Sequence, residues 1–136
     1  VAALSLSEHA MHRLYLLSWY YQGTEADARN FFQQLREGCQ KGIHFPFDCP
    51  YQVGLVHCTA RGEEHWCVGV LVTGDVANDD SIEQNARLEQ WFTRCRADFS
   101  IAEKRSEPAI CPSVEATLQR IYGDHYKCVE TFGTLE

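Results

Sequence analysis

Hydrophobic and polar positions alternate most clearly over Tyr51–Asp75, where two β-patterned runs flank a short polar turn. Tyr51, Val53, Leu55 and His57 alternate with Gln52, Gly54, Val56 and Cys58; beyond Ala60–Glu64, Trp66, Val68, Val70 and Val72 alternate with His65, Cys67, Gly69 and Leu71. A period of two, rich in Val and broken by a turn containing Gly, predicts a β-hairpin. The rest of the chain is organised around it.

Upstream the period lengthens. Ser5-Leu6-Ser7-Glu8 has the form of a capping box, and Ala10, Leu14, Leu17 and Tyr21 follow at helical spacing, with Leu16 and Trp19 widening the stripe. This predicts a first helix ending near Gly23, apolar enough to be buried on more than one side, as in a homodimer interface. Thr24 and Asp27 open a second helix whose face is Ala28, Phe31, Phe32, Leu35 and Cys39, closed by Gly38 or Gly42. The prolines of Lys41–Pro50 forbid helix and predict an ordered extended loop.

Downstream of the hairpin, Ser81 with Gln84 caps a third helix with the face Leu88, Trp91, Phe92, Cys95 and Phe99. Phe99–Arg105 reads as a short strand stopped by Ser106–Pro108. Cys111-Pro112-Ser113 opens a fourth helix with Val114, Leu118, Ile121 and Tyr122 inward and Gly123 at its end, and His125–Phe132 alternates as a last strand. The expected fold is a single α+β domain over 1–136. Its mostly antiparallel sheet of about four strands is built on the central hairpin (51–73) and covered by about four helices.

Composition narrows the function classes. A chain of 136 residues with 45% hydrophobic content can bury a core without disulfides or metal. A net charge of -7 disfavours nucleic acid and anionic lipid, and no basic patch offsets it. Seven cysteines, an odd number, cannot all pair internally, and several continue apolar faces as reduced thiols do; a cytoplasmic location is expected. No signal-peptide pattern is present, and the apolar cluster Leu14–Tyr21 falls short of the ~20 residues that span a bilayer. The first residue is Val, and Leu135–Glu136 reads as a cloning remnant without structural weight.

Four groups of residues carry candidate chemistry. The hairpin holds His57, Cys58, His65 and Cys67. Residue 58 opposite 65 pairs Cys58 with His65, whereas 57 opposite 67 pairs His57 with Cys67. In both registers the four are expected to divide between the two faces with at most a pair on either, too few for zinc, so no metal and no cofactor are expected. Cys111, before Pro112 at a helix start, is the candidate nucleophile, since unpaired backbone N–H groups there would favour the thiolate, with His44, His57 or His125 as base. His44, Phe45 and Phe47 in the proline-stiffened loop, with His57 and Trp66 on the hairpin, are the candidate ligand-binding residues. The acidic turn Asp75, Asp79, Asp80 and Glu83 lacks calcium-loop spacing and is explained by its place before a helix.

No phosphate-binding, dinucleotide-binding, serine-hydrolase or zinc-protease motif occurs. The chain is therefore expected to be a small acidic binding or accessory protein, taking a protein partner or a small ligand. The alternative is a thiol-dependent or metal-assisted enzyme using Cys111 or the hairpin His and Cys residues.

Overall fold

The computed structural model describes residues 12–18, 25–60, 62–78, 81–97 and 103–135. These residues form five strands and three helices in the order β1 (His12–Ser18), α1 (Glu25–Gln40), β2 (Tyr51–Ala60), β3 (Glu63–Thr73), α2 (Ile82–Arg94), β4 (Glu103–Ala109), α3 (Val114–Tyr122) and β5 (Tyr126–Gly133). A 3-10 turn, Gly74–Asn78, joins β3 to α2. All pairings are antiparallel, in the order β4-β1-β3-β2-β5. The first six elements follow the β-α-β-β-α-β order of ferredoxin-like units, in which β1 and β2 run parallel with β3 inserted between them. The pair α3–β5 extends that unit at the β2 edge.

The α+β class and the central hairpin agree with the sequence pattern, but among the described residues the sheet has five strands rather than about four and the helices number three rather than about four. The difference lies at the start. Residues 12–18 form a strand, not part of a helix, and the remainder of that predicted helix, including Ser5–Glu8, Ala10, Trp19, Tyr21 and Gly23, lies outside the described residues. The cause is burial on both faces. Tyr15 and Leu17 enter the core beneath α1 and α2, while Leu14 and Leu16 enter the core beneath α3, all four at most 1% exposed. A central strand buried on both sides reads as an unbroken apolar run, which periodicity cannot separate from a helix. The apolar breadth of 14–17 is thus used inside the subunit.

The larger core lies between one sheet face and helices α1 and α2. Phe31, Phe32 and Leu35 of α1 and Leu88, Trp91 and Phe92 of α2 meet Val53, Leu55, Val68, Val70 and Val72. Serine caps α2 as its spacing predicts: Ser81 Oγ accepts from Gln84 N at 3.1 Å. The Gln84 side chain turns inward instead of closing a capping box, donating to the Tyr15 hydroxyl and the Val76 carbonyl. Helix α1 ends at Gly42, whose φ of +93° permits Ile43 N to reach Gly38 O and Gly42 N to reach Cys39 O, a Schellman closure.

On the other face α3 covers Leu14, Val56, Cys67 and Leu71 through Val114 and Leu118, whereas Ile121, expected inward, is 38% exposed. Gly54 and Gly69 face one another across β2 and β3, and a Cβ on either would stand 3.0 Å from Val114 Cγ1. The dent they leave admits the start of α3, and Gln52 Oε1, rising from β2, accepts a hydrogen bond from Val114 N at 2.8 Å. Gly69→Val is therefore expected to lift α3 and lower stability by about 1–3 kcal/mol, as overpacking does. Urea unfolding checks this; an unchanged midpoint would show that the dent is not needed.

Strand β4 runs to Ala109 and so includes Pro108, which the sequence pattern places after the strand. As the outermost strand on that side among the described residues, β4 accommodates proline. Phe99 and Ile101 lie outside the described residues, as does Thr24. Leu135, read from the sequence as a remnant without weight, packs on the α3 core and donates its backbone N–H to Tyr51 O.

Candidate functional site

The loop between α1 and β2, with Arg87 of α2 and Thr134, bounds an open depression of about 810 Å³. Its floor is aromatic. Phe45 stacks on Tyr51 with centroids 3.9 Å apart and planes 6° from parallel, and meets Trp91 edge-on at 5.1 Å and Phe47 at 5.6 Å. Trp91 is 1% exposed, and its indole N–H has no hydrogen-bond acceptor among the described residues. Phe47 is buried while Phe45 stays half-buried, so this loop both packs on the core and lines the opening.

Polar groups ring that floor. Arg87, from the exposed side of α2, donates to the Pro46 carbonyl and places its guanidinium 5.0 Å over the Phe47 ring. Tyr51 N donates to Thr134 Oγ1, and Tyr51 O accepts from Thr134 N and Leu135 N, tying the chain end to the start of β2. Cys39 Sγ lies 3.5 Å from the Tyr51 hydroxyl, and burial with this thiol contact pushes the phenol well above its ordinary range. His44, Asp48 and Cys49 complete the rim. Burial raises the Cys49 thiol as well, partly offset by hydrogen bonding to Thr73.

Of the ligand-binding residues read from sequence, the depression brings together His44, Phe45 and Phe47. His57 and Trp66 are elsewhere. They are opposite one another on the hairpin and stack at 4.6 Å, with Arg29 5.9 Å from the Trp66 ring. Six strand positions separate residue 57 from residue 51, which at ~3.3 Å per residue is roughly 20 Å along the sheet. Tyr51 joins the depression from the first position of β2, next to the loop, whereas Arg87 and Thr134 carry no sequence signal because they join it from α2 and from the segment after β5.

The hairpin takes the register in which Cys58 is opposite His65. Three of its four candidate ligands share a face, rather than two: His65 lies two residues before Cys67 on the same strand and so points with it towards α3, as does Cys58. His57 occupies the other face. Cys128 of β5 joins the α3 side opposite Val56. Among the described residues no three His, Cys, Asp or Glu side chains are grouped to hold a metal ion.

Cys111 is half-buried two residues before the N-cap Ser113. Three of the donors at the start of α3 are engaged by other groups, Val114 N by Gln52, Ala116 N by Ser113 Oγ and Thr117 N by Ser113 O. The Cys111 carbonyl accepts from Thr117 Oγ1 at 3.4 Å.

Burial lifts the Cys67 thiol from 9.0 to about 12, with Cys58 and Cys128 adding to the rise, and the Cys95 and Cys128 thiols to about 11. Iodoacetamide at neutral pH is therefore expected to label these three only after denaturation, which mass spectrometry checks; rapid native labelling of Cys67 would contradict the burial described. The same shifts set an alkaline limit. Unfolded thiols lose their protons near pH 9 while folded Cys67 holds its proton to about 12, so through that window the unfolded state binds fewer protons and stability falls. Below pH 9 both states are protonated and these groups contribute no slope.

No family model, curated protein or solved structure matches this chain.

Proposed function

We propose that this chain is a small acidic binding module whose ligand, a small flat molecule, sits in the depression bounded by residues 44–51. The observation that carries the reading is the half-buried Phe45, which lines the depression stacked on the buried Tyr51 ring, with the Arg87 guanidinium held over the neighbouring Phe47. Small-molecule sites are concave and mainly apolar with a few placed polar groups, and this floor and rim have that composition. The net charge of -7 and seven free thiols fit a protein of a reducing, cytoplasmic compartment.

Saturation-transfer NMR against a library of aromatic fragments tests it, with Phe45→Leu and Trp66→Leu run in parallel. Binding is expected in the parent protein, to be lost in Phe45→Leu and kept in Trp66→Leu, because only the first removes part of the floor. Binding that survives Phe45→Leu and fails in Trp66→Leu would move the site to the far end of the hairpin. Absence of any binding would remove the small-ligand reading in favour of a protein partner.

A further inference from the structure

We infer that the ligand of this depression is a singly charged aromatic carboxylate, recognised by Arg87; the inference rests on the reading of the depression as a ligand site. Three observations lead to it.

The first is that Arg87 is fixed but not neutralised. Arg29 is paired with Glu25 at 2.8 Å and Arg36 with Glu130 at 2.7 Å. Arg87 has no carboxylate of the described residues within ion-pair distance; its contacts are the Pro46 carbonyl and the Phe47 ring. In a chain with 19 acidic and 12 basic residues, Arg87 is a cation held in place without a carboxylate of the described residues, and it can take an anion from outside the chain. A guanidinium carries five N–H donors, and one bond to Pro46 leaves donors for a planar, bidentate acceptor.

The second is the floor. Phe45 lines the depression half-buried, its ring backed by the buried Tyr51 ring stacked parallel to it, and Arg87 shares that lining, so a ring placed against Phe45 brings a directly attached carboxylate towards Arg87. Rotation of Arg87 away from this position is opposed by its contact with Phe47 and by the hydrogen bond to Pro46. A donor already ordered before binding loses less freedom on capture.

The third is Asp48. Asp48 lines the same depression, so its negative charge repels any ligand anion that Arg87 does not neutralise, a second one above all. One anionic group is what the rim admits.

The experiment titrates benzoate, benzamide and benzylamine, three probes of the same ring and similar shape, by saturation-transfer NMR against the parent protein, Arg87→Gln and Phe45→Leu. Benzoate is expected to bind about tenfold more tightly than benzamide, with benzylamine weakest, since charge-assisted hydrogen bonds are about twice as strong as neutral ones. Arg87→Gln, on an exposed helix face, is expected to abolish the preference for benzoate over benzamide. Benzamide or benzylamine binding as tightly as benzoate, or a benzoate preference that survives Arg87→Gln, overturns the assignment. Should neutral probes bind without preference and be lost in Phe45→Leu, the depression remains a ligand site and only its anion selectivity falls. If none of the three binds, both readings fall.

Discussion

Replacing Trp91 with alanine is expected to cost about 3–5 kcal/mol, the usual range for truncating a buried tryptophan. Trp91 is 1% exposed and lies where α2 meets both the core and the loop, contacting Phe92 at 5.7 Å and standing edge-on to Phe45 and Tyr51 at 5.1 and 6.3 Å. Its removal would leave a cavity that a rigid sheet cannot collapse into, against a total stability of about 5–15 kcal/mol for a domain. Trp91→Phe separates ring volume from the indole N–H. That N–H has no acceptor among the described residues, so its loss releases a buried unsatisfied donor and partly offsets the smaller ring. Urea unfolding of the two variants should show a large drop for alanine and a much smaller one for phenylalanine. Equal losses would mean that the N–H has a partner whose loss costs as much as the ring.

Gly133→Ala is expected to cost about 2–6 kcal/mol, combining ~1–3 kcal/mol of backbone strain with a similar overpacking cost. Gly133 has φ +132°, and a Cβ there would overlap the Tyr51 carbonyl oxygen and stand 2.9 Å from Gln52 Cα. Neither contact is a flexible side chain that can move aside. The Tyr51 carbonyl is also the acceptor for Thr134 N and Leu135 N, so displacing it would disturb the wall of the depression. Gly62 is the control. It has φ +76°, but a Cβ added there would meet nothing within 4 Å, so Gly62→Ala should show the backbone cost alone, about 1 kcal/mol. Similar losses at both positions would show that the close approach to Tyr51 does not matter.

Elements with one buried face can be read directly from the chain. Helix α2 is announced by Ser81, three residues before Gln84, and by Leu88, Trp91 and Phe92 at helical spacing, because local capping and a single buried stripe agree there. The hairpin is buried on both faces over 51–56 and 67–72, yet Gln52, Gly54 and Gly69 on the α3 face keep an alternation with the valines and Gly62 marks the turn. Strand β1 lacks such markers, apolar residues 14–17 being an unbroken run buried on both sides. The candidate site is visible only in its contiguous part. Prolines at 46 and 50 mark the loop that carries His44, Phe45 and Phe47, but Arg87 lies 40 positions beyond Phe47 and Thr134 a further 47. Their meeting depends on the sheet order, which no local pattern encodes. Nearness in sequence groups His57 and Trp66 with the loop, although an extended strand carries residues apart faster than any other element.

The central claim is that the depression at 44–51 is where this protein binds its ligand, and amide and indole chemical-shift mapping during a benzoate titration tests it most directly. Shifts should concentrate at Phe45, Phe47, Tyr51, Thr134, the Arg87 side chain and the Trp91 indole N–H. His57 and Trp66 should remain unmoved. Saturable shifts centred on His57 and Trp66, or none at any of these positions at millimolar benzoate, would contradict the account.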